Sequence, residues 1–146
     1  MDAYKFFLHF HSGFRYIVLV LMLVSIVLSL RGWLGNKPYT EGNRKINLFA
    51  MISAHTQLLI GLVLYFLSPF VKFGGDTMSD KTFRYWTVEH LTMMIIAIAL
   101  ITIGHARSKR AIDAAAKHKA IVVFYIIAIL VIVGAIVMSG RPLVGK

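Results

Sequence analysis

Six histidines and no cysteine define the site chemistry open to this 146-residue chain. His11, His55, His90 and His105 fall inside long apolar stretches, where an ionisable side chain is costly and by default marks a functional site. His9 reads as a residue at the outer mouth of the first stretch. His118, set among lysines, reads as a solvated loop residue. The absence of thiols excludes disulfide and thiolate chemistry. Imidazole nitrogen is a ligand for zinc, copper and haem iron, and depth in the membrane helps to separate these.

Helical rise of about 1.5 Å per residue places His11 and His90 at one level, one to two turns inside the outer boundary. His105 lies close to the inner boundary. His55 is about three turns in from that side, so the two inner histidines differ in depth by about two turns. His90 and His105 are fifteen residues apart, roughly 22 Å along a helix with an angular offset of about 60°. One helix therefore offers an imidazole to each half of the membrane. Zinc needs its ligands at one point, which that separation forbids for the full set. Haem iron takes one axial imidazole from each of two helices, so a two-level layout suits one or two haems. Copper held with the soft ligands Met22, Met51, Met93 and Met94, or purely structural hydrogen bonding, are the alternatives.

Around the outer pair the sequence places further groups. Arg15, one turn below His11 toward the midplane, is positioned to pair with a haem propionate or another acid, with Arg84 and Arg141 as further candidates at the outer surface. Glu89, next to His90, reads either as a proton carrier or as an interfacial acid. Residues three, four or seven apart share a helix face, which groups His11, Arg15, Met22, Ser25 and Ser29 on the first helix. The same rule groups His90, Met94, Ala97, Ile101 and Gly104 on a later one. Ser53, Gln57, Gly61 and Ser68 form a stripe roughly opposite His55. Trp33, Tyr39, Tyr85 and Trp86 fit an interfacial aromatic belt.

The elements that must carry these residues follow from hydropathy. The chain is 58% hydrophobic and 15% charged, with a mean hydropathy of +0.75, whereas soluble domains carry about 25% charged residues. That excludes an ordinary soluble enzyme, a disordered tail and a nucleic-acid-binding module. The net charge of +10 belongs instead beside lipid headgroups. A bilayer core takes about 20 apolar residues of helix, and stretches at about 6–30, 46–71, 83–106 and 120–138 qualify. Short connectors make sequential helices antiparallel neighbours. The expected fold is an all-α, integral membrane, four-helix up-and-down bundle forming one transmembrane domain over 1–146. The connector from Arg107 to Lys119 keeps helical composition and is expected to extend one of its flanking helices.

Nine of the 16 Lys and Arg residues fall on the side of the first and third loops, and seven on the side of the termini and the middle loop. The excess of positive charge on cytoplasmic loops places both termini outside. The first apolar block is interrupted by Arg15 and lacks a small-residue cleavage pattern, so it is expected to remain as a span.

The segments LHFHSGFRY (Leu8–Tyr16), AHTQLLIGLVLYF (Ala54–Phe66) and TVEHLTMMIIAIALITIGHARSK (Thr87–Lys109) resemble those of small bacterial four-helix integral membrane proteins described as cytochrome b-like. The resemblance covers almost the whole chain. It implies haem b, one or two per chain, with His11, His55, His90 and His105 at the family's ligand places. The spaced pair stands here on the third span, whereas better-studied relatives carry it on the fourth. It further implies residence in the bacterial inner membrane and electron exchange with quinone or a redox partner protein, as a relay or as a quinone-linked oxidoreductase. A possible homo-oligomer or larger complex belongs to the same expectation. A second resemblance, in length and in the early first-helix histidine, is to four-helix membrane proteins that oxidise protoporphyrinogen in haem synthesis. The competing class is a non-enzymatic membrane anchor or accessory subunit.

Overall fold

A computed structural model describes residues 2–69, 74 and 79–138, apart from the side chains of Phe83, Trp86 and Thr87. Lys72, Arg141 and Lys146, which entered the count of basic residues, lie outside the described residues.

Helix α1 spans Ala3–Leu34 and starts at Asp2, whose carboxylate accepts the Lys5 amide at 2.8 Å. It ends where Asn36 adopts φ 50°, a left-handed conformation that asparagine tolerates better than most side chains. Helix α2 spans Glu41–Leu67 and opens with a capping box, Thr40 and Asn43 each satisfying the other's backbone N–H. A four-residue helix α3 (Lys81–Arg84) runs into a π-helical turn, Tyr85–Glu89, and then into α4 (His90–Arg110). Helix α5 follows over Ala114–Met138, its first turn capped by the Asp113 carboxylate accepting the Ala116 amide at 2.7 Å. The Arg107–Lys119 connector thus extends both flanking helices and leaves a break of only three residues.

Helices α1, α2, α4 and α5 are each long and apolar enough to cross a membrane. They form an all-α, up-and-down, membrane-spanning bundle in which α1 packs on α2 and α5, and α4 on α5 and α2. The half of the bundle holding the start of α1, the end of α2, the start of α4 and the end of α5 is called here the upper half.

The inward stripes are those the spacing groups together. Met22, Ser25 and Ser29 of α1 and Ala97, Ile101 and Gly104 of α4 are buried, and Met22, Ala97 and Ile101 meet Tyr125, Ala128 and Ile121 of α5 in one apolar cluster. Large side chains such as Val20, Leu59, Phe66 and Leu130 face outward, as expected where the solvent is hydrocarbon. The lower half is pinned by polar contacts. The Tyr125 hydroxyl donates to the Asn47 carbonyl at 2.8 Å, and the Asn47 amide donates to the Tyr39 hydroxyl at 2.8 Å.

His118 departs from its expectation as a solvated residue. It lies in α5 and is 1% exposed, with Nε2 at 3.2 Å from the Pro38 carbonyl oxygen. Gly32 on α1 leaves the space that the imidazole fills. Tyr39, half-buried in the loop between α1 and α2, packs edge-on against the same ring.

Candidate functional site

The upper half holds a partly open cavity of about 150 Å³ lined by all four spans. Its polar wall consists chiefly of His11 and Arg15 from α1, Gln57 from α2, Tyr85 from the π turn and His90 from α4. Leu, Ile and Met side chains supply most of the rest. An apolar chamber with a few convergent polar groups is the usual form of a small-molecule or cofactor site.

His11 and His90 come together in it. Their ring centres are 6.5 Å apart and the ring planes cross at 80°. That is an edge-to-face ring contact, and it brings the two imidazoles from α1 and α4 to one side of the cavity. Gly61 of α2 makes room for this arrangement, because a Cβ there would stand 3.2 Å from Cε1 of His11. Gln57, one turn earlier on the same face, donates its amide to the His11 carbonyl oxygen at 2.8 Å and fixes α2 against α1.

Among the described residues, three buried polar atoms of this wall have no hydrogen-bond partner: Nδ1 of His11, Nε of Arg15 and Oε1 of Gln57. Buried polar groups are nearly always paired, so three orphans around one chamber call for an explanation. Arg15 is held from the side by its neighbour, with Nη2 at 3.2 Å from the Tyr16 hydroxyl and the guanidinium over the Tyr16 ring. Among the described residues the acid-to-base ion pairs are Arg44 with Glu41 and Arg84 with Glu89, so Arg15 carries its charge into the bundle without a carboxylate. That charge is suited to an anionic group brought in by a ligand.

The other two intramembrane histidines do not form a matching pair. Nε2 of His55 lies 2.8 Å from the Thr102 hydroxyl oxygen, whose proton is directed to the Ile98 carbonyl, also at 2.8 Å. The His55 bond must therefore be donated by its own Nε2–H, which occupies that nitrogen. Thr102 is three residues from His105, so the depth mismatch expected at about two turns shrinks to less than one. His105 is 4% exposed with Nδ1 unpartnered, and no ring contact joins it to His55 among the described residues. No group of three or more His, Asp or Glu side chains placed to hold a metal ion occurs among them either.

His9 is exposed at the start of α1. Glu89 is engaged with Arg84 at 2.8 Å. Tyr85, expected in an interfacial belt, is instead 5% exposed, and its hydroxyl reaches both His90 and α5. Met22 is a core residue and Met51 and Met94 pack against the core. Of the wall residues, Gln57 and Gly61 were visible as part of the small-and-polar stripe on α2. Tyr85 was not, because its alignment with His90 depends on the π turn.

No family of known proteins, no curated protein and no solved structure matches this chain.

Proposed function

We propose that this chain is a membrane b-type cytochrome that holds one haem b between His11 and His90 and exchanges electrons with quinone or a redox partner protein. The observation that carries the reading is the convergence of these two imidazoles, with ring centres 6.5 Å apart, on an apolar chamber whose wall holds an arginine without a carboxylate partner among the described residues. The resemblance of the histidine-bearing segments to cytochrome b-like membrane proteins supports the same assignment.

The donor set suits the group. Two imidazoles from different helices, His11 and His90, are the donors that would hold the iron of a haem. Arg15 supplies the positive charge that a propionate needs in a low-dielectric setting. The cavity volume of about 150 Å³ is below the roughly 300 Å³ at which cofactor pockets begin. The seam between α2 and α4 is the loosest among neighbouring spans, and a haem would have to part the helices there to fit. Bound haem would supply a one-electron couple. The protein's part is to fix the axial ligands, balance the carboxylate charge and keep water from the metal. The His55–His105 pair lacks the ring contact that supports the upper pair, and we assign one haem per chain. The excess of basic residues on the first and third loops supports a topology with the termini, and hence the site, on the outer side of a bacterial inner membrane.

A pyridine haemochrome assay on detergent-purified protein tests the proposal. Wild type is expected to yield close to one haem b per chain, and His11→Ala and His90→Ala to lose most of it. Colourless wild-type protein from haem-replete cells, or full and spectrally unchanged haem in both variants, refutes it.

A further inference from the structure

The π turn ahead of α4 changes which side chains can meet. In an α-helix residues five apart point about 140° away from each other. In a π turn the backbone bond joins residue i to i+5, and here the His90 amide donates to the Tyr85 carbonyl. Residues five apart are thereby stacked on one face. Arg84 reaches Glu89 in this way, and the Tyr85 hydroxyl comes to 3.3 Å from Nδ1 of His90.

The Tyr85 hydroxyl also hydrogen-bonds to the Ala135 carbonyl on α5. A carbonyl oxygen can only accept, so the phenolic proton is committed to that bond. What the phenol offers His90 is oxygen lone pairs, and the bond between them has to be donated by Nδ1–H. A neutral imidazole protonated on Nδ1 carries its lone pair on Nε2.

We infer that Tyr85 is a positioning residue: through the chain His90 Nδ1–H to Tyr85 oxygen to Ala135 carbonyl, it holds His90 in the tautomer whose Nε2 is the metal-binding atom. The inference deepens the cytochrome reading and rests on it for what that lone pair is used for. It also accounts for an irregular turn at this point of the chain, since a regular α-helix would carry Tyr85 away from the site. Ligating histidines generally donate their second ring N–H to an oxygen, which fixes the ring and raises ligand basicity. His55 is the internal contrast, because its Nε2 carries the proton given to Thr102.

Two measurements test this separately. In cofactor-free protein labelled with ¹⁵N-histidine, His90 is expected to show a protonated Nδ1 and an unprotonated Nε2. In Tyr85→Phe it reverts toward the Nε2-protonated form that free imidazole side chains favour. Wild-type His90 protonated on Nε2, or an unchanged tautomer in Tyr85→Phe, overturns the inference. That spectrum requires no haem, and the wild-type half requires no variant to fold. In the haem-loaded protein, Tyr85→Phe is expected to keep its haem while the midpoint potential rises, because a ligand that has lost its N–H acceptor donates less electron density to the oxidised metal. Haem bound in both proteins at the same potential also overturns it. A wild type that binds no haem but shows the Nδ1 tautomer defeats the cytochrome reading and leaves the hydrogen-bond chain standing.

Discussion

Replacing Gly32 with alanine tests the tightest helix contact in the lower half. An added Cβ would lie 2.4 Å from both Cε1 and Nε2 of His118, so the ring has to retreat by about 1 Å to reach ordinary contact distance. It has little freedom to do so. The ring is 1% exposed, sits edge-on to Tyr39 and is bonded to the Pro38 carbonyl at 3.2 Å. Losing that hydrogen bond costs about 1 kcal/mol, and overpacking a filled site costs about 1–3 kcal/mol. Against this stands the helical gain of alanine over glycine, about 0.5–1 kcal/mol. The net expectation for Gly32→Ala is a loss of about 1–3 kcal/mol. In a His118→Ala background the obstruction is gone, and the same substitution should stabilise by about 0.5–1 kcal/mol. Reversible unfolding of the four proteins in mixed detergent micelles, followed by circular dichroism, gives the cycle. A Gly32→Ala effect of the same sign in both backgrounds would refute the reasoning.

Two further substitutions bear on the upper chamber. Gly61→Ala brings a Cβ to 3.2 Å from His11, whereas Gly13→Ala meets nothing within 4 Å; haem titration of the apoproteins should show about 3- to 10-fold weaker binding for the first, a cost of about 1 kcal/mol, and none for the second. Equal affinities in the two variants would contradict the geometry. Arg15→Met removes an intramembrane charge whose insertion costs about 2.5–3.5 kcal/mol at the centre of a span. The cofactor-free protein should therefore gain about 1 kcal/mol in micellar unfolding while haem affinity falls, and a parallel loss of both would show Arg15 to be purely structural.

Much of this architecture can be read from the sequence because membrane helices leave a strong signal. Continuous apolar runs locate the spans, and the threefold and fourfold spacing of small and polar residues picks out the inward faces of α1 and α4. Rise per residue alone puts His11 and His90 at a common level. The features that escape are those created by a partner helix or by irregular backbone. The burial of His118 follows from a glycine 86 positions earlier in the chain, and a run of lysines around a histidine looks like any exposed connector. The π turn has no residue signature, so Tyr85 looked like one more interfacial aromatic. His55 turns toward Thr102 across the α2–α4 contact, a pairing that depth arithmetic on single helices does not contain.

The short break between α4 and α5 carries a further consequence. Ser108 donates to the Lys117 carbonyl at 3.0 Å and the Lys117 ammonium returns to the Ser108 carbonyl at 3.1 Å, which ties these two spans into a hairpin. His90, Tyr85 and Ala135 all belong to that late-made piece, while His11, Arg15, Gln57 and Gly61 belong to the α1–α2 piece synthesised before it. Neither piece owns a complete binding wall. The chamber can therefore come into being only when the second hairpin docks on the first, so a change at the α1–α2 or α4–α5 seam reaches the chamber even where it touches none of its wall residues.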